Sequence, residues 1–180
     1  ADLSIVSKYI GNPLLINGHK FDLRIYVVMT SVDPLRVYVF KEGLARFATE
    51  QFHMAGDAKD NLFVHLTNYS INKKSAAFQQ TENLNNDDQG FKWSLSAFCS
   101  HMQQINIDMD LFWSRIYDVI LKAIISGEDH IFTTFKKTCI HRTNCFELFG
   151  FDILIDSDFK PWLMEINLSP SLVCDSKLDM

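Results

Sequence analysis

A chain of 180 residues is long enough for one domain with a sizeable core, and 47% hydrophobic with 22% charged residues is ordinary globular composition. The formal net charge of -5 argues against general nucleic-acid binding, which asks for a basic domain. No apolar run approaches the roughly 20 residues that cross a bilayer, so no membrane span is expected. Residues 1–75 carry 9 Lys/Arg against 7 Asp/Glu, and the remainder 8 against 15. That imbalance is compatible with a basic groove in the first half and a cation-binding second half, and equally with solvated faces. The opening ADLSIVSKYI has neither the basic start nor the cleavage pattern of a signal peptide. It lacks an initiating methionine, and the chain is expected to be a segment of a longer protein.

In chain order, residues 3–10 read as a short strand, followed by a turn at Gly11-Asn12-Pro13 and an apolar run from Leu14 to Ile16. Asn17-Gly18 is a strong hairpin dipeptide. Lys20 to Thr30, rich in β-branched and aromatic residues, predicts a strand. Ser31 to Pro34 breaks it, Arg36 to Phe40 predicts its hairpin partner, Glu42-Gly43 predicts a turn, and Leu44 to Thr49 is extended. Residues 79–92 are polar and predict a surface loop. Residues 94–105 and about 110–136 carry helical spacing, with Leu111, Phe112, Ile116, Val119, Ile120, Ala123 and Ile124 on one broad face. Ser126-Gly127 is a candidate break in the second helix. After Cys145 the strands FELFGFDILI and WLMEINL flank the turn DSDFKP. Without repeats or linker-like composition, the pattern is one α+β unit, mostly antiparallel sheet packed with helices.

The C-terminal hairpin carries the best local signal. Glu165 and Asn167 are two apart on one strand and share a face. With a turn centred between Asp158 and Phe159, Asp152 lies opposite Glu165. Two carboxylates held together repel unless a cation lies between them, and a few hard oxygen ligands suit Mg²⁺ that keeps other oxygens from water or phosphate. Three solvated polar residues on a wet hairpin face would look the same.

In KFDLR, alternation puts Lys20, Asp22 and Arg24 on one face, either as a clamp for phosphate oxygens or as a surface salt-bridge ladder. Arg46 is a lone cation in an apolar strand. In the strand-to-loop transition that begins at His65, Thr67 and Asn68 could hold a metal-bound water or a ribose, or cap a turn. Cys139, His141 and Cys145 lack a fourth zinc ligand at finger spacing. With Cys99 and Cys174 they read as buried or half-buried thiols of a reducing compartment. There is no P-loop, no Rossmann glycine fingerprint, no nucleophile elbow and no zinc-protease motif.

Taken together, SKYIGNPLLINGHKFDLRIYV, DPLRVYVFKEGLARFA, NLFVHLTNYSINKKS and CFELFGFDILIDSDFKPWLMEINLSPSL resemble the tubulin tyrosine ligase-like family. The wording is closest to its polyglutamylases. The resemblance implies the catalytic, C-terminal lobe of an ATP-grasp fold over residues 1–180, with the facing N-terminal lobe and a C-terminal extension lying outside them. By that likeness Asp152, Glu165 and Asn167 bind Mg²⁺ at the ATP phosphates. Lys20 and Arg24 face the γ-phosphate and an acyl phosphate, Arg46 steadies the same charge, and Asp22 lies near the acceptor or incoming amine. His65, Thr67 and Asn68 line the nucleotide side, and Lys8, Tyr9 and Ile10 form the adenine hinge, where Ser7 replaces the family's usual Gln.

The implied activity is ATP-dependent addition of free glutamate to the γ-carboxylate of glutamates in acidic tubulin tails. Its setting would be the cytoplasm and cytoskeleton, including cilium, flagellum or basal body. The alternatives are another amino acid ligase of the family, a glycylase or tyrosine ligase, or a catalytically silent tubulin-binding module.

Overall fold

The computed structural model describes residues 6–54, 60–75, 90–139, 141 and 145–172. Apolar alternation from residue 19 onward builds β2 (His19–Val32). It pairs antiparallel with β3 (Leu35–Phe47) across a tight Asp33–Pro34 connection. Ahead of them, β1 (Leu15–Ile16) folds back on β2 through Asn17 and Gly18. Their φ angles of 52° and 81° are the left-handed pair that a two-residue hairpin turn demands. Residues 6–10 have no regular structure where a strand over 3–10 was expected. Val6 is 95% exposed, so there is no buried face to hold an extended segment against the sheet. Residues 3–5 lie outside the described residues.

Glu42-Gly43 is not a turn. β3 runs through it with an irregularity in its pairing to β2, and Gly43 lies opposite Ile25. A Cβ at Gly43 would run into the Arg24 carbonyl oxygen, so only glycine lets the two backbones approach there. Two single-turn helices follow, α1 (Leu62–His65) and α2 (Tyr69–Asn72). The expected strand-to-loop transition is instead helical, because the Asn61 side chain caps α1 by accepting from Phe63 N–H at 2.9 Å.

Lys92 opens the short strand β4 (Lys92–Ser94) on β3, inside the stretch expected to be a loop. Gly90 and Phe91 form a turn ahead of it, and residues 79–89 of that loop lie outside the described residues. Ser94 caps α3 (Leu95–Gln104), and Asp108 caps α4 (Met109–Thr138). The thirty residues of α4 pass through Ser126-Gly127 without a break. Its buried ladder is Phe112, Ile116, Ile120 and Ile124, whereas Leu111 is 51% exposed.

The chain closes with β5 (Glu147–Ile155) and β6 (Pro161–Leu168). The strand order is β4-β3-β2-β5-β6, antiparallel throughout, with β1 on β2. One sheet face buries Phe21, Leu23, Ile25, Ala45, Phe47, Phe151 and Ile153 against α3 and α4. Aromatic contacts stitch the layers, with Phe21 to Phe98 at 5.4 Å and Phe98 to Phe112 at 5.8 Å between ring centroids. This is a mixed α/β architecture with helices on one side of an antiparallel sheet, and the other face is left for polar residues. Among the described residues no helix is long and apolar enough to cross a membrane.

Candidate active site

The face away from the helices carries a grid of charge. Cross-strand register places Arg46 beside Asp22, Arg24 beside Asp152, and Asp152 beside Glu165. The side chains follow that register. Arg24 grips Asp152 with two bonds, Nε to Oδ1 at 2.5 Å and Nη2 to Oδ2 at 3.1 Å. Arg46 grips Asp22 with Nε to Oδ1 at 2.9 Å and Nη2 to Oδ2 at 2.5 Å, and its Nη2 also lies 2.8 Å from Asp152 Oδ2.

Four charges, with bonded partners as far as 128 positions apart in sequence, therefore share one network. The KFDLR motif is not a ladder of its own residues: Arg24 turns to Asp152 while Asp22 is served by Arg46. Burial alone would raise the Asp152 pKa, but the Arg24 and Arg46 guanidinium groups hold its carboxyl below the usual value. Burial opposes charge on Arg46 as well, yet Asp22 and Asp152 raise its pKa and keep it cationic.

Glu165 reaches Asp152 by an unforeseen route. From Ile155↔Pro161 to Ile153↔Leu163 the pairing fits a turn centred on Asp158, and the register then shifts before Asp152↔Glu165. Met164 is the extra residue. Continued without the shift, the pairing would set Met164 opposite Asp152 and turn Glu165 and Asn167 to the helix side. The bulge corrects the expected turn centre while preserving the expected partner.

Asn167 then bridges the carboxylates, with Nδ2 3.1 Å from Glu165 Oε1 and 3.5 Å from Asp152 Oδ2. The donor set is two carboxylates and, with the amide turned over, one carbonyl oxygen. Such hard oxygens fit Mg²⁺. Among the described residues no group of three or more His, Cys, Asp or Glu could hold a metal. An ion held here would draw its remaining ligands from water or a bound phosphate.

Lys20 stands at the other end of the face, nearly buried. Its Nζ donates to Tyr9 Oη at 3.3 Å, and Tyr9 Oη lies 2.8 Å from His65 Nδ1. Burial lowers the Lys20 pKa, with Asp22 pulling the other way. Burial likewise pushes the Tyr9 phenol up. Tyr9 thus contributes its side chain to this network. Lys8 is exposed and Ile10 half-buried on the same stretch. Thr67 is buried, and Asn68 is the exposed N-cap of α2 without a side-chain capping bond.

Three supporting residues escaped the sequence reading. Asn72, buried on α2, accepts from Thr49 Oγ1 and donates to the Phe47 and Leu66 carbonyls, docking α1 and α2 onto the end of β3. Asp156 accepts from the Asp158 and Lys160 amides and from Trp162 Nε1, shaping the β5–β6 turn. Burial would raise its pKa, and those hydrogen bonds hold it low instead. Gly150, between Tyr26 and Asn167 in the sheet, leaves room for Arg24: a Cβ there would lie 3.2 Å from Arg24 Cδ and 2.9 Å from Pro170 Cβ. The DSD turn tract was a legible signal for Asp156. A buried Asn and a spacer Gly have none at the level of pattern.

The model of the tubulin-tyrosine ligase family matches residues 2–180. The chain belongs to the tubulin-tyrosine ligase family. Within it, the chain is 50% identical over 176 residues to the human tubulin polyglutamylase TTLL5, covering 98% of this chain and 14% of that protein. It is 49% identical over 180 residues to the mouse tubulin polyglutamylase TTLL6, covering 97% and 21%. It is 45% identical over 179 residues to the human tubulin monoglutamylase TTLL4, covering 98% and 15%. The chain spans between 13% and 28% of the length of these and similar relatives. As a tubulin-tyrosine ligase family member it is closely related to the polyglutamylases.

Proposed function

We propose that this chain is the C-terminal lobe of an ATP-grasp module, in a protein that uses ATP and Mg²⁺ to join glutamate to the γ-carboxylate of glutamates in tubulin tails. The single observation that carries the reading is the shared charge network: Arg24, Arg46, Asp22 and Asp152 on one sheet face, with Glu165 and Asn167 beside them. Similarity to named tubulin glutamylases supports the donor and the acceptor.

The chemistry balances. An acceptor carboxylate oxygen attacks the γ-phosphorus of ATP and ADP leaves. The amine of free glutamate then attacks the acyl carbon, loses a proton and expels phosphate, and an isopeptide bond remains. Charge must be neutralised and reactants aligned for both steps. Lys20, Arg24 and Arg46 would bind the phosphoryl oxygens, with Arg24 and Arg46 exchanging part of their grip on Asp152. Asp152, Glu165 and Asn167 would hold Mg²⁺, which supplies neutralising charge at the phosphates when bound. Asp22 would orient Arg46 and lie beside the acceptor or amine. Tyr9 and His65 would fix the Lys20 amine. Lys8, Ile10, Thr67 and Asn68 would line the nucleotide side, with the facing lobe supplied from elsewhere in the protein. Such a substrate sets the protein at the cytoskeleton, in the cytoplasm and at cilia, flagella or basal bodies.

The test is transfer of labelled glutamate to tubulin by the full-length protein with ATP and Mg²⁺. Transfer should occur and fall at least 100-fold in Glu165→Gln, on the scale of lost transition-state electrostatics. Labelled glycine or tyrosine transferring in place of glutamate sinks the donor assignment. No ATP-dependent transfer of any of the three sinks the enzymatic reading and leaves the silent binding module.

A further inference from the structure

Cys139 and Cys145 flank the joint between α4 and β5. Cys139 ends α4, its N–H donating to the Phe135 carbonyl at 2.8 Å. Cys145 lies two residues before Glu147, where β5 locks onto β2 opposite Met29. Both are free thiols, Cys139 half-buried and Cys145 exposed, and their sulfurs are 3.0 Å apart. A disulfide bond is about 2.05 Å long, so closing it needs the sulfurs to approach by only about 1 Å. Zinc does not explain the pairing, because among the described residues no His, Asp, Glu or further Cys joins these thiols; the Thr138 hydroxyl, 3.8 Å from the Cys139 sulfur, is the neighbour there. The packing at this end of α4 is thin: its last buried side chain is Ile124, and Phe132 and Phe135 are only partly buried.

We infer that Cys139 and Cys145 form a site of reversible oxidation, at which an intramolecular disulfide ties the end of α4 to the start of β5. The oxidant is a small-molecule disulfide. The thiolate of exposed Cys145 attacks one of its sulfurs, forming a mixed disulfide and releasing one small thiol. The thiolate of Cys139 then attacks the Cys145 sulfur, closing the protein disulfide and releasing the second small thiol. Two protein thiols are oxidised, one small disulfide is reduced, and each attacking sulfur gives up its proton to solvent. The proximity of the pair makes the second step fast, so the mixed disulfide does not accumulate. Cys99, half-buried on α3, has no thiol partner among the described residues and serves as an internal control.

The experiment treats the full-length protein with oxidised glutathione, blocks remaining thiols with iodoacetamide, and maps the peptides by mass. The expected result is a Cys139–Cys145 linkage two hydrogens lighter than the dithiol, reversed by dithiothreitol, with Cys99 alkylated. Cys139→Ser should arrest the reaction as a stable glutathione adduct on Cys145. Amide exchange over the last turn of α4, residues 135–138, should slow in the oxidised protein. A lasting glutathione adduct on wild-type Cys145 overturns the inference, as do two alkylated thiols after treatment, or exchange in that turn that oxidation leaves unchanged.

Discussion

Asp152 is 3% exposed and faces two guanidinium groups, so its charge is a condition of the fold as well as of any metal. Its folded pKa lies below the ordinary carboxylate value. A carboxylate with a depressed folded pKa contributes stability that is present above the unfolded value and is lost as pH falls through the folded one. Thermal stability should therefore hold from neutral pH to about 5 and fall below about 4. Asp152→Asn should flatten that acid limb while costing about 3 kcal/mol at pH 7, because half-buried Arg24 loses its charged partner and Arg46 keeps only Asp22. Melting curves across pH, wild type against variant, check both. Two glycines around Arg24 separate backbone from side-chain crowding. Gly150→Ala meets Pro170 Cβ and the movable Arg24 side chain and should cost about 1–2 kcal/mol. Gly43→Ala meets the Arg24 carbonyl oxygen, which cannot rotate away, and should cost about 3 kcal/mol or more. Urea denaturation of the two variants ranks them, and the reverse order would show that β2 and β3 can separate at Gly43 without loss.

Elements were legible where the pattern was local. The Asn17-Gly18 hairpin, the alternation in β2 and the buried stripe of α4 follow from period and turn chemistry in the sequence, and the structure has them. The misreadings came from residues judged by type without their neighbours. Gly43 read as a turn, but its missing side chain serves a close strand approach. The β5–β6 register could be deduced only as a sum of positions, and the Met164 bulge compensates for a turn centred half a residue earlier than expected. Ser126-Gly127 read as a candidate break, yet the helix continues through it, and Phe132 and Phe135 beyond it still pack on the core. That continuity has a measurable consequence. Gly127 lies in a helix interior, where an added Cβ would meet only Ile131 Cδ1 at 3.9 Å. Gly127→Ala should stabilise the protein by about 0.5–1 kcal/mol. A destabilised variant in urea titration would show that α4 breaks there after all.

At the scale of the molecule, the sheet separates two tasks. Its helix-side face builds the core from Phe21, Leu23, Ile25, Phe151 and Ile153, while the opposite face sets charge from β2, β3, β5 and β6 side by side. The residue types of the site could be read from short motifs. Their partnerships could not, because Arg24 and Asp152 meet only once β2 and β5 pair, and pattern within either strand carries no signal of that contact. The same layout predicts that stability and activity divide along the hairpin. Asp152 is enclosed and doubly ion-paired, whereas Glu165 is exposed and accepts a bond from Asn167 Nδ2 at 3.1 Å. An exposed carboxylate with so light a structural role should change stability by less than about 0.5 kcal/mol when replaced. Glu165→Gln should then melt within about a degree of wild type while losing glutamate transfer. Asp152→Asn should lose both. Melting and labelled-glutamate transfer on the same preparations separate the two. A Glu165→Gln protein that keeps full transfer would remove β6 from the metal site and leave the Asp152 network with a purely architectural role.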